Sequence, residues 1–148
     1  MSYLNNVIGY RADLLSNRSI VKKDNYALIE PDGLVKNVIP GFEDCEITIL
    51  SSPKIGASFV DYLVTVLPNG KNEAGFGYEG VETLFYVIEG SLDVKAGTEA
   101  HSLKQGGFVY CPPNTKLYFN NNSGQNVKAF MYKRKYSALE GHTPYVVV

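Results

Sequence analysis

The chain has 148 residues, 14 basic and 15 acidic, for a formal charge of −1. That length suits one domain with a core large enough to fold without a disulfide or metal staple. The near-neutral balance excludes a general nucleic-acid binder, and 45% hydrophobic against 20% charged residues excludes wholesale disorder.

In chain order, the one helix candidate is Arg11 to Leu15, which is short and weakly periodic. From Asn25 onward the chain reads as short strands. Tyr26 to Glu30 is closed by the turn Pro31-Asp32-Gly33, and Leu34 to Ile39 is ended by Pro40-Gly41. Cys45 to Leu50 alternates polar and apolar until Ser51-Ser52-Pro53. Ser58 to Leu67 is the longest β run, ended by Pro68-Asn69-Gly70. The Gly-rich stretch from Gly70 to Gly80 has no lysine placed for phosphate and no helix after it. Thr83 to Ile88 turns at Glu89-Gly90 into Ser91 to Lys95, a hairpin pattern. Phe108 to Cys111, Lys116 to Phe119 and Val127 to Tyr132 complete the set. Eleven Tyr and seven Phe add to the β character. The pattern predicts an all-β sandwich or small barrel, such as a jelly roll.

Other features are plain. Cys45 and Cys111 stand apart in no metal or redox spacing and read as small core residues. Lys133-Arg134-Lys135 reads as a solvated strand end. His101, placed in a turn after the Ser91 hairpin, and His142, in the C-terminal tail, have no ligand spacing to anything. No secretory signal and no apolar run of about 20 residues is visible, so a cytoplasmic location without a membrane or nucleic-acid partner is expected.

Two segments carry spaced motifs that read as a pair. Gly107, Pro113, Thr115, Tyr118 and Asn122 follow the spacing G-x5-P-x-G-x2-H-x3-N, with Tyr118 at the histidine and Thr115 at the second glycine. In the companion motif, G-x5-H-x-H-x(3–4)-E-x6-G, counting back from Gly90 puts Thr83 at the glutamate. The histidine positions fall on Gly77 and Glu79, or on Phe76 and Tyr78 with the longer spacer. Glu82 lies one residue from the glutamate position, where a bulge would turn it inward. The two motifs resemble the pair of the cupin superfamily, in which a metal needs three or four converging His and carboxylate ligands, so no metal is expected in this chain.

Further segments narrow the resemblance. They include Tyr3-Leu4-Asn5-Asn6, Pro31-Asp32-Gly33-Leu34, Gly56-Ala57-Ser58-Phe59, Glu79-Gly80-Val81-Glu82-Thr83 and Tyr132-Lys133-Arg134. Together they resemble the N-terminal half of the (S)-ureidoglycine aminohydrolase family, over nearly the whole chain. The resemblance implies a single cupin (double-stranded β-helix, jelly-roll) barrel over 26–136, an arm over 1–25, and a tail over 137–148 leading toward a second cupin. It implies release of ammonia from (S)-ureidoglycine, with Mn²⁺ held only in that second cupin and this half acting as scaffold. The expected partner is that domain, or a second copy of this chain in a homodimer. The alternative is a stand-alone metal-free cupin that binds a small polar ligand through Glu79, Glu82 and Tyr118. For Tyr118 the simpler reading is a core tyrosine, and for the two glutamates a solvated loop.

Overall fold

The computed structural model describes residues 19–77 and 79–148. The helix expected at Arg11 to Leu15 lies outside these residues. A hairpin of β1 (Ile20–Lys22) and β2 (Tyr26–Leu28) comes first, pairing Ile20 with Leu28. Eight strands then form one sheet: β3 (Glu43–Ser51), β4 (Phe59–Phe76), β5 (Val81–Glu89), β6 (Ser91–Ala96), β7 (Glu99–Lys104), β8 (Phe108–Cys111), β9 (Leu117–Asn120) and β10 (Val127–Lys135). Their order is β7-β6-β9-β4-β10-β5-β8, with β3 also paired to β4. Every pairing is antiparallel. The sheet curls into a nearly closed barrel, which is the expected all-β jelly roll.

The expected break at Pro68-Asn69-Gly70 is a corner within β4. Before it, β4 runs against β10 from Arg134↔Phe59 to Val127↔Val66. After it, the same strand pairs with β9 through Lys71↔Asn120 and Phe76↔Leu117. Asn69 turns the chain with φ of 66°. Gly70 is required by close approach, since a β-carbon there would lie 2.5 Å from the Asp44 carbonyl oxygen.

Two strand expectations need correction. Leu34 to Ile39 is not a strand; one bridge, Asn37↔Ile47, ties it to β3. Conversely, His101 lies in β7 opposite Val94, not in a turn. Of the six β7 residues only Leu103 is buried, so the strand has little apolar pattern to show.

The core follows the two-residue alternation of strands. Thr83, Phe85 and Val87 on β5 face Val127, Ala129 and Met131 on β10, and Leu117 and Phe119 on β9 point the same way; all are buried. A chain of rings fills the centre: Phe85 to Phe119 at 5.4 Å, Phe119 to Phe42 at 5.7 Å, and Phe42 to Phe76 at 5.8 Å. The tail bends back to the β8 edge, where Tyr110 and Val147 exchange backbone hydrogen bonds of 2.8 and 3.1 Å. That pairing covers otherwise unpaired edge groups. No helix among the described residues is long and apolar enough to cross a membrane.

Candidate functional site

The motif positions can be read from which side chains face the barrel interior. On β5, Thr83 is inward and 1% exposed, at the glutamate position. On β9, Leu117 and Phe119 are inward, while Tyr118 between them projects to the other side and is half-buried. The second motif therefore sits one residue earlier than its first count. Gly106, Pro112, Asn114, Leu117 and Asn121 satisfy the same spacing. Asn114 has φ of 68°, the left-handed conformation that the second motif glycine serves and that Asn tolerates. Asn121 is fully buried, whereas Asn122 is exposed. In the first motif, the four-residue spacer places Gly70 at the opening glycine and Phe76, buried, at the first histidine. The second histidine position, Tyr78, lies outside the described residues.

The ligand positions thus carry Phe76, Thr83 and Leu117 among the described residues. Thr83 Oγ1 has no hydrogen-bond partner of good geometry, although the Cys111 thiol lies beside it. No three His, Cys, Asp or Glu side chains converge among the described residues.

The three residues singled out from the sequence lie in separate surroundings. Glu79 is exposed in the turn before β5. Glu82 projects from the outer side of β5, where its Oε2 accepts the Tyr110 hydroxyl at 2.9 Å. Tyr118 borders a groove of about 610 Å³ with Asn72, Asp93, Lys95 and Asn120, which includes neither glutamate. Asn122 Nδ2 donates to Asp93 Oδ2 at 3.0 Å at the groove's rim.

A second cavity, of about 430 Å³, opens at the barrel end where β4 finishes and β5 begins. Phe42, Tyr62 and Phe76 line it together with Lys133 and Arg134. The basic run is therefore not wholly a solvated strand end. Lys133 continues the inward series of Ala129 and Met131, and its ammonium lies 5.7 Å from the Tyr62 ring centre and 5.8 Å from that of Phe76.

Titratable groups near the sheet give a pH expectation. Burial pushes the Cys111 thiol up from 9.0 to about 11; burial, then the Asp44 charge, does the same for Cys45. Burial and the Glu82 hydrogen bond push the Tyr110 hydroxyl up from 10.0 to about 12. All three are neutral when protonated, and folding favours that form. Their contribution is intact below pH 9 and is lost as pH rises through the 9–12 window. Urea midpoints are expected to fall from pH 9 onward in the wild type. In the double variant Cys45→Ala/Cys111→Ala the fall begins near pH 10. Superimposable pH profiles for the two proteins would contradict this assignment.

The family model for the cupin domain, Cupin_2, matches residues 62–132. The chain is 56% identical to (S)-ureidoglycine aminohydrolase of Escherichia coli (strain K12), over 99% of this chain and 56% of that protein. It is 26% identical to (S)-ureidoglycine aminohydrolase of Arabidopsis thaliana, over 88% of this chain and 43% of that one. The crystal structure of protein Ylba from E. coli superposes with a TM-score of 0.85 at 55% identity, covering 94% of this chain and 57% of Ylba. The chain spans about half the length of these relatives. Residues 62–132 thus form a cupin domain, and over nearly all its length the chain resembles part of the (S)-ureidoglycine aminohydrolases.

Proposed function

We propose that this chain is the N-terminal, metal-free scaffold half of an (S)-ureidoglycine aminohydrolase-like protein, in which (S)-ureidoglycine yields (S)-ureidoglycolate and ammonia. The identity to the E. coli aminohydrolase supports the reaction class. One observation carries the scaffold role: buried Phe76, Thr83 and Leu117 stand where metal cupins place ligands. A phenyl ring, a neutral hydroxyl and an isobutyl group do not fit Mn²⁺, a hard cation that takes carboxylate, carbonyl, water and imidazole donors. In this reading Mn²⁺ would be held by a second cupin domain, where it would supply Lewis-acid chemistry. This chain's residues then supply a rigid barrel against which that domain is held. The alternative, a stand-alone cupin binding a small polar ligand, is favoured by the groove beside Tyr118.

The test is ammonia release from fresh (S)-ureidoglycine by the purified chain with added Mn²⁺, against a chelator control. Release is expected to stay at the spontaneous rate, and the dialysed protein to retain no stoichiometric manganese. Mn²⁺-dependent release by this chain alone would overturn the scaffold role.

A further inference from the structure

We infer that the cavity at the end of the barrel is a binding site for a small organic carboxylate, with Lys133 as the charge that receives it. Three features support the assignment. The walls are aromatic, with Phe42, Tyr62 and Phe76 packed edge to face: Phe42–Phe76 at 5.8 Å and Tyr62–Phe76 at 5.9 Å. Such walls exclude water and strengthen any charge interaction made against them. The Lys133 ammonium stands over two of those rings, half-buried, at the inward end of β10.

The second feature is the local charge balance. Among the described residues, Lys36, Lys71 and Lys128 each have a carboxylate within 4.0 Å, and neither Lys133 nor Arg134 does. Glu82 is opposite Arg134 in the β5–β10 register, but it is engaged on the outer side by the Tyr110 hydroxyl. A cationic ligand in this aromatic cavity meets an ammonium already present. A neutral one leaves that ammonium with its ring contacts but no carboxylate among the described residues. An anion with a flat apolar body satisfies both the rings and the lysine.

The third feature is position. Lys133 pairs in register with Thr83, the residue at the glutamate position of the metal motif. At this end of the barrel, where no metal-ligating set converges among the described residues, Lys133 places an organic cation. The remaining donors suit a carboxylate. Arg134 at the rim offers a planar fork for bidentate binding. Asn72 also borders the cavity, and its Oδ1 accepts the Gly75 N–H at 2.7 Å. A volume of about 430 Å³ lies within the range of small-molecule pockets.

The probe is benzoate, titrated into the purified chain by calorimetry or amide NMR, with benzamide and benzylamine as neutral and cationic analogues of the same shape. Benzoate is expected to bind saturably, and both analogues roughly 10-fold or more weaker. Lys133→Met is expected to weaken benzoate roughly 10- to 100-fold, while Lys133→Arg retains most of the affinity. Three results each overturn the inference: no saturable benzoate binding, equal affinity for benzoate and benzamide, or unchanged affinity in Lys133→Met. The wild-type comparison of benzoate with benzamide decides the matter even where a variant misfolds. The inference stands on the cavity and does not rest on the aminohydrolase reading; benzoate binding and ammonia release succeed or fail separately.

Discussion

Asn121→Ala is expected to lower the unfolding free energy by about 3 kcal/mol or more, which for a chain this long is roughly 6–12 °C in Tm. Asn121 is fully buried and uses both ends of its amide. Its Nδ2 donates to the carbonyl oxygens of Val66 and Leu67 at 3.0 Å each and of Gln125 at 2.7 Å. Its Oδ1 accepts the Ser123 N–H at 3.0 Å and the Ser123 hydroxyl at 2.6 Å. Its own backbone N–H donates to the Gly70 carbonyl at 2.8 Å. These bonds tie the corner of β4 to the loop that follows β9. Truncation leaves the buried Val66 carbonyl and its neighbours without donors, and the cost of an unmet buried group exceeds the worth of a made bond. Asn122→Ala removes one exposed bond to Asp93 and is expected to stay within about 0.5 kcal/mol of the wild type. Thermal unfolding of the two variants side by side is the measurement. Equal losses would mean that Asn121 does not pin the corner.

The strands that bury a full face were legible in the sequence. Thr83 to Ile88 and Val127 to Tyr132 fall inside β5 and β10, and the Glu89-Gly90 turn lies where the alternation pauses, with Gly90 at φ of 95°. β7 was not legible, because Leu103 is the single buried side chain among charged and polar neighbours. Leu34 to Ile39 failed in the opposite direction. It carries Val35 and Val38, but Val38 is 91% exposed and the segment has no continuous partner. Pro68-Asn69-Gly70 has the chemistry of a chain break, and local chemistry does not reveal that a strand can change partners at such a corner.

The site was harder for a specific reason. The second motif is bracketed by doublets: Gly106-Gly107, Pro112-Pro113, and Asn121-Asn122 within a run of three. Each doublet satisfies the family spacing twice, one residue apart, so the count alone is degenerate. A one-residue slip exchanges the faces of a strand. The tie-breaking signal was present in the period-two pattern of Lys116 to Asn120, where Leu117 and Phe119 are the apolar members. The same alternation, continued from Ala129 and Met131 to Lys133, marks that lysine as inward.

The corrected register has a second large consequence, at Leu117. Leu117→Ala is expected to cost about 2–5 kcal/mol, as for other leucines removed from a packed core. Leu117 is fully buried, between Phe76 on β4 and Ala96 on β6. Tyr118→Ala is expected to cost about 1 kcal/mol, since its ring is half-buried over the groove. Denaturant midpoints distinguish the two, and the reverse order would restore Tyr118 as the inward residue. The same packing bears on what a single histidine at this position would do. Leu117→His would put an imidazole beside Phe76, where no described carboxylate or second histidine converges with it. A buried polar ring without a hydrogen-bond partner is destabilising by itself. Phe76, Thr83 and Leu117, at the motif's ligand positions, are buried in the barrel, so the same side chains set its packing and its donor chemistry. A variant with histidines at both Phe76 and Leu117 gives up apolar core volume at two positions together, and its stability is expected to fall below that of Leu117→Ala before any ion is bound.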